Sequence, residues 1–214
     1  MKYTWLLLLV IPFTAFNSFN NYKSIVASSP LSNFSAEWNQ TKYSVCNTAI
    51  HVSYMSAEEK KLIYIINLMR SNPVLFVNTV SSKYPDSANM PNIKNSSYYK
   101  SLMNTLRNQE PLGLLYPDSI CYVSANCHAI SAGKNGYVGH NRQTEDCKNK
   151  WVFNGECCDY GHNQALDILM SLMIDEGVAS LGHRKICLSP YNKIGVSLQP
   201  HVVYGNNTVL DFLY

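Results

Sequence analysis

The chain has 214 residues, with 17 Lys and Arg against 14 Asp and Glu, a formal net charge of +3. No block of like charge occurs, which argues against nucleic acid or an anionic membrane surface as the main partner. The length suits one domain with a proper core, alone or with a tail.

Met1-Lys2, an apolar run over Trp5–Ala15 and the small and polar residues that follow form the three-part pattern of a secretory signal peptide. The leader is assigned to residues 1–18. Its apolar run is shorter than the roughly 20 residues a membrane span needs, and Pro12 lies inside it. The expected product is a secreted, extracellular protein without a membrane span. All seven cysteines follow the leader: Cys46, Cys121, Cys127, Cys147, Cys157, Cys158 and Cys187. Export implies that most are oxidised, and the odd number leaves at least one free or bonded to another chain. The spacing does not choose the pairing. No C-x-x-C repeat supports a zinc–cysteine site.

Residues 19–53 are rich in Asn, Ser and Tyr and lack periodicity. They read as an N-terminal tail or linker, with Cys46 as a point of attachment. Glycosylation sequons occur at Asn33, Asn39, Asn95 and Asn206. Ser56 and Glu59 have capping-box spacing, and Leu62, Ile63, Ile66 and Met69 form one apolar face. A first helix is predicted there, ending at Asn72-Pro73. A shorter helix is expected over Tyr98–Arg107, and another from Ser119 to about Ala132, with Gly133 as its stop. His128 on that helix reads as a packing or surface residue. Residues 136–158 read as a long loop. Asn163 opens the last predicted helix, whose buried face is Ala165, Ile168, Leu169, Leu172 and Met173, with Gly177 as its stop. Lys193–Gln199 and Val202–Leu213 alternate around Gly205-Asn206-Asn207 and predict a C-terminal β-hairpin. Helices first and strands last give an α+β fold with helices covering a sheet, over residues 54–214.

The candidate chemistry lies in three short segments. Asp175 and Glu176 fall in the last turn of a predicted helix, where the dipole disfavours each acid by about 0.3–1 kcal/mol. Arg184 or Lys185 folding back onto them is the simplest explanation. His183 follows closely. Upstream stand Gly139-His140-Asn141-Arg142 and Asn154-Gly155-Glu156. Two His and two carboxylates suit zinc binding, or general acid and base work. No HExxH, GxSxG, phosphate-binding loop or dinucleotide fingerprint is present.

Taken in order, Ile66–Pro73, Ser124–Ala129, Gly139-His140, Gly155-Glu156, Ile174–Gly177, Gly182–Lys185 and Tyr191–Val196 resemble the CAP superfamily. That superfamily comprises cysteine-rich secretory proteins, insect venom allergens and plant pathogenesis-related proteins. The likeness is closest to its shorter, microbial-type SCP-like domains and spans about residues 56–214. The resemblance implies an α-β-α sandwich whose central cleft holds His140, Glu156, Asp175 and His183. His140 and His183 would be ligands for zinc or another divalent cation, with Glu156 and Asp175 completing the tetrad. It also implies a secreted binding module for a sterol, another lipid or an extracellular protein. The alternative is a zinc-dependent hydrolase or peptidase with Glu156 as general base. A third reading keeps the tetrad as a buried polar network. Two positions depart from the family pattern. Asp175 stands where Glu is usual, which leaves room for a water between it and any metal. Cys157 follows Gly155-Glu156 where Asn is common, which opens that position to a disulfide. His162 and His201 carry no motif support.

Overall fold

The computed structural model describes Met1 and residues 28–214. The predicted leader over 1–18 lies outside the described residues, apart from Met1, as do residues 19–27.

Ser56 accepts the Glu59 amide while Glu59 returns to the Ser56 amide, and this closed capping box starts α1 (Ala57–Ser71). Asn72 ends α1 as predicted. Its side chain then caps α2 (Pro73–Phe76), which runs into a π turn over Val77–Ser81. Next come α3 (Tyr84–Ser87), α4 (Ser97–Arg107), β1 (Tyr116–Pro117) and α5 (Ser119–Asn135). The predicted stop at Gly133 is not used. The helix continues to Asn135, and Gly136 ends it at φ +66°. Gly133 serves close approach instead, since a Cβ there would sit 2.0 Å from the Pro200 carbonyl oxygen.

The loop expected over 136–158 contains α6 (Glu145–Asn149) and β2 (Gly155–Tyr160). Five of the six β2 residues are buried, so the strand shows no polar–apolar alternation. α7 (Ala165–Ile174) is not the last helix, because the six-residue α8 (Gly182–Cys187) follows it and is too short to display a period. β3 (Lys193–His201) and β4 (Gly205–Leu213) form the predicted hairpin. Its turn falls on Val202–Tyr204 rather than on residues 205–207, and Gly205 takes the left-handed step at φ +80°.

The four strands are ordered β1-β3-β4-β2, with β1 parallel to β3 and the other pairings antiparallel. α5 covers one face. Ala125 and Ala129 meet Val209 and Cys158, and Gly195 lets the backbones touch. On the other face α1 and α7 bury Leu62, Ile66, Ile168 and Leu172 with Val196, Leu210 and Phe212. The result is a mixed α+β fold ending in an antiparallel hairpin. Among the described residues no helix is long and apolar enough to cross a membrane.

The stretch read as a tail is part of the core from Ser29 onward. Two 3₁₀ helices, Ala36–Asn39 and Thr41–Cys46, bury Trp38, Tyr43 and Cys46. The Trp38 indole donates to Thr79 at 3.1 Å and its ring meets Tyr43 and Phe76. Short 3₁₀ turns have neither the 3.6 nor the 2.0 period, so the pattern was silent there. Of the expected cross-links, Cys127–Cys147 is present and ties α5 to α6. Cys46, Cys121, Cys157, Cys158 and Cys187 are buried thiols.

Polar residues on α1 organise this core. Glu59 accepts the Leu198 amide on the open edge of β3. Asn67 bonds both the N–H and the C=O of Leu115. Arg70 is fully buried and donates to the carbonyls of Gly113, Cys187, Ser189 and Tyr191. Burial pulls its guanidinium down to about 10. Replacing Arg70 by Met strands these carbonyls, each costing about 1–3 kcal/mol if left unsatisfied. Urea unfolding of Arg70→Met is expected to show a loss of about 3–5 kcal/mol.

Candidate functional site

His140 sits on the loop after α5, and that loop is clamped at Gly139. The His128 Nε2–H donates to the Gly139 carbonyl at 2.9 Å, and the Gly139 amide donates to the Tyr160 hydroxyl at 2.9 Å. Gly139 takes φ +127°, and a Cβ there would meet the Tyr137 hydroxyl at 2.9 Å. Glycine at position 139 is therefore a backbone requirement. Held in this way, His140 places Nδ1 2.8 Å from Glu156 Oε1 on β2.

The second half of the site is a helix joint. α7 ends at Asp175, which lies in the left-handed region at φ 59° and ψ 42°. The acid is thus outside the last helical turn, contrary to the sequence expectation, and its side chain turns toward α8. Asp175 Oδ2 accepts the amides of His183 and Arg184 at 3.0 and 3.4 Å, and Oδ1 lies 2.7 Å from His183 Nδ1. Leu181, the residue before α8, offers no side-chain cap, and Asp175 supplies one from outside the helix. The misplaced acid is explained: the dipole of α7 disfavours it and that of α8 favours it. Arg184 does not pair its guanidinium with the acids. It donates to the carbonyls of Met173 and Ile174 at the end of α7, and to Tyr98 and Ser101 on α4. Glu176 points elsewhere and accepts from Ser96.

The four side chains come together. The His140 and His183 rings face each other with centroids 6.4 Å apart and planes 39° apart. Each Nδ1 is held by a carboxylate that is about 5% exposed or less. Among the described residues neither Nε2 has a protein partner. The Glu156 bond raises the His140 pKa above its usual 6.5, against the opposing effect of burial.

Two residues given no role from the sequence complete the network. Arg142 is buried, with Nη1 2.7 Å from Glu156 Oε2, a charge contact rather than an aligned hydrogen bond. Its guanidinium lies over Trp151 and Phe153 at 5.2 and 5.0 Å from the ring centroids. Asp211 stands opposite Glu156 in the β2–β4 register and lies 3.4 Å from Arg142. Burial first, and the Glu156 charge second, push the Asp211 carboxyl well above its usual range. Burial alone would raise Glu156 as well. Bonds from His140 and Asp211 and the Arg142 charge outweigh it and hold Glu156 low. Glu156 thus orients His140 through Oε1 and faces the Arg142 charge through Oε2, both from a buried position, which suits a positioning anion. His128 belongs to this network too: it is fully buried, and burial holds its pKa below 6.5.

A cavity of about 290 Å³ opens beside His183, walled by Tyr84, Ile93, Leu172 and Val178 and reached by His162. His140 is not in its lining, so the paired imidazoles stand at one end of it. His162 forms a third imidazole–carboxylate pair, with Nδ1 3.0 Å from Asp159. Asp159 and His162 come from β2 and the turn after it, where the sequence showed no motif.

Imidazole Nε2 atoms are suitable ligands for a divalent cation, although the groups of three or more clustered ligand atoms among the described residues are Cys127, Asp146 and Cys147, and His128, Glu156 and Cys158. A carboxylate on each Nδ1 fixes the tautomer and leaves the Nε2 lone pair available. Two imidazoles on one tetrahedral zinc would have centroids about 5–6 Å apart, given Zn–N of about 2.0–2.1 Å, so the 6.4 Å pair would have to close slightly to share an ion.

Removing the Asp175 carboxylate uncaps α8 and frees His183. Asp175→Ala is expected to lose about 2–4 kcal/mol in urea unfolding. The Asp159 hydrogen bond raises His162 above 6.5. Its contribution to stability is therefore present below the unfolded value and lost as pH rises through the folded one. Ring-proton NMR should give His162 a pKa above 6.5 that falls back in Asp159→Asn. In comparisons with known proteins, no family model, no curated protein and no solved structure matches this chain.

Proposed function

We propose that this chain is an exported CAP-type domain, an α-β-α sandwich that works as an extracellular binding module with a divalent-cation cleft. The carrying observation is the facing pair His140 and His183, each anchored at Nδ1 and without a protein partner at Nε2. Helices on both faces of the sheet and the convergence of all four tetrad residues support the family reading.

His140 and His183 would hold the ion, zinc or another divalent cation, and it would supply a Lewis-acidic contact point for a partner's oxygen or nitrogen. Glu156 and Asp175 keep the imidazoles oriented and neutralise local charge. Arg142 and Asp211 hold Glu156 in place from below. The adjoining cavity, at about 290 Å³, is at the small end of ligand pockets, which run about 300–1,000 Å³. Its size and apolar wall suit a small apolar group or one side chain of a protein partner better than an entire sterol or lipid. The hydrolase reading gains no support, since Glu156 is buried beneath His140 and paired with Arg142, away from solvent water.

The test is metal content. Purified protein dialysed against zinc and then buffer is expected to keep one ion per chain, while His183→Ala and His140→Ala keep none. Glu156→Gln should weaken binding about 10–100-fold, as outer-shell changes do. Equal metal in wild type and both His variants, or none in any, would remove the cation from the proposal.

A further inference from the structure

We propose that Cys157 and Cys187 form a second disulfide, which ties β2 to α8 beneath the cleft.

The alternation of β2 separates its neighbouring cysteines. Cys158 faces α5 with Ala125, Ala129 and Val209. Cys157 faces the opposite side and shares the main core with Cys187. β2 and α8 are in close contact there, since a Cβ on Gly155 would lie 3.0 Å from both Ile186 Cγ2 and the Tyr191 hydroxyl. Cys157 Sγ lies 3.7 Å from the His183 carbonyl oxygen. That carbonyl is one helical turn before Cys187, on the same side of α8. Both residues are fully buried, and the Cys157 thiol is pushed well above its usual range, first by burial and then by the neighbouring Cys187. The remaining thiols have other surroundings. Cys46 bonds Ser71 on α1, and Cys121 lies on α5 where Gly195 approaches.

The bond closes a loop containing α7, Asp175 and His183. It therefore fixes the strand carrying Glu156 to the helix carrying His183, whatever the cleft binds. In the reaction two S–H bonds break and one S–S bond forms. Two electrons and two protons pass to a small-molecule disulfide such as glutathione disulfide, which leaves as two thiols. Because both sulfurs are buried in the folded chain, the exchange takes place before α8 docks on β2.

The test is disulfide mapping of the reduced, denatured chain after refolding in a glutathione redox buffer. Free thiols are alkylated and the digest is read by mass spectrometry without reduction. Expected are the Cys127–Cys147 link as internal control and a peptide joining the Cys157 and Cys187 segments. Cys46, Cys121 and Cys158 should be alkylated. Cys157 and Cys158 share a peptide, so Cys158→Ser is run in parallel and must keep the link. Alkylated Cys157 and Cys187 in a sample that has formed Cys127–Cys147 would overturn the proposal. So would a link that disappears in Cys158→Ser.

Discussion

Asp175 ends α7 and begins α8 with one side chain. Its backbone takes the left-handed conformation that turns the chain, and Asp tolerates that conformation better than most residues. Its carboxylate then accepts two α8 amides and orients His183. Arg184 completes the joint from the other side by satisfying the carbonyls that α7 leaves open. Were this joint to loosen, α8 would lose its cap, His183 its orientation and the cleft one of its two walls. The Asp175 carboxylate therefore works mainly inside the joint.

The same economy recurs around the other histidine. Gly139 is clamped through both of its peptide groups, by His128 and Tyr160, so His140 enters the cleft from a rigid loop. Beneath it, Glu156, Asp211 and Arg142 form a buried group in which the two carboxyls are pushed in opposite directions, Glu156 down and Asp211 up. A single arginine cannot neutralise two buried carboxylates, and burial with the Glu156 charge raises the Asp211 pKa accordingly. Buried ionic groups of this kind are weak sources of stability, and their use is positional. Arg70 and Arg184 also bind mainly backbone carbonyls, which lets one side chain pin several irregular segments at once.

Features confined to one turn of chain were legible in the sequence. The Ser56–Glu59 box, the Asn72-Pro73 break, the apolar faces of α1 and α7 and the C-terminal hairpin all appeared as expected, because each depends on neighbours within a few residues. β2 was not legible. Buried on both faces, GECCDY has no alternation, and its Cys, Glu and Asp resemble loop composition. Trp38 and Tyr43 were assigned to a tail because 3₁₀ turns leave no period. The four tetrad residues were named through ordered motifs, not through spacing. Arg142 and Asp211 went unassigned because their partners lie across the sheet, 69 positions apart in the chain.

By itself, then, the sequence determined where the long helices start, which faces they bury, and that the chain ends in a hairpin. It also marked Asp175 as an acid at odds with its own helix. Only the tertiary structure decided why that acid is tolerated, since the cap it provides belongs to a helix that begins seven residues later. The pairing of His140 with His183 was likewise undetermined until β2 and α8 came together. Local propensity acts along the chain, whereas the charges and hydrogen bonds of this cleft act through space.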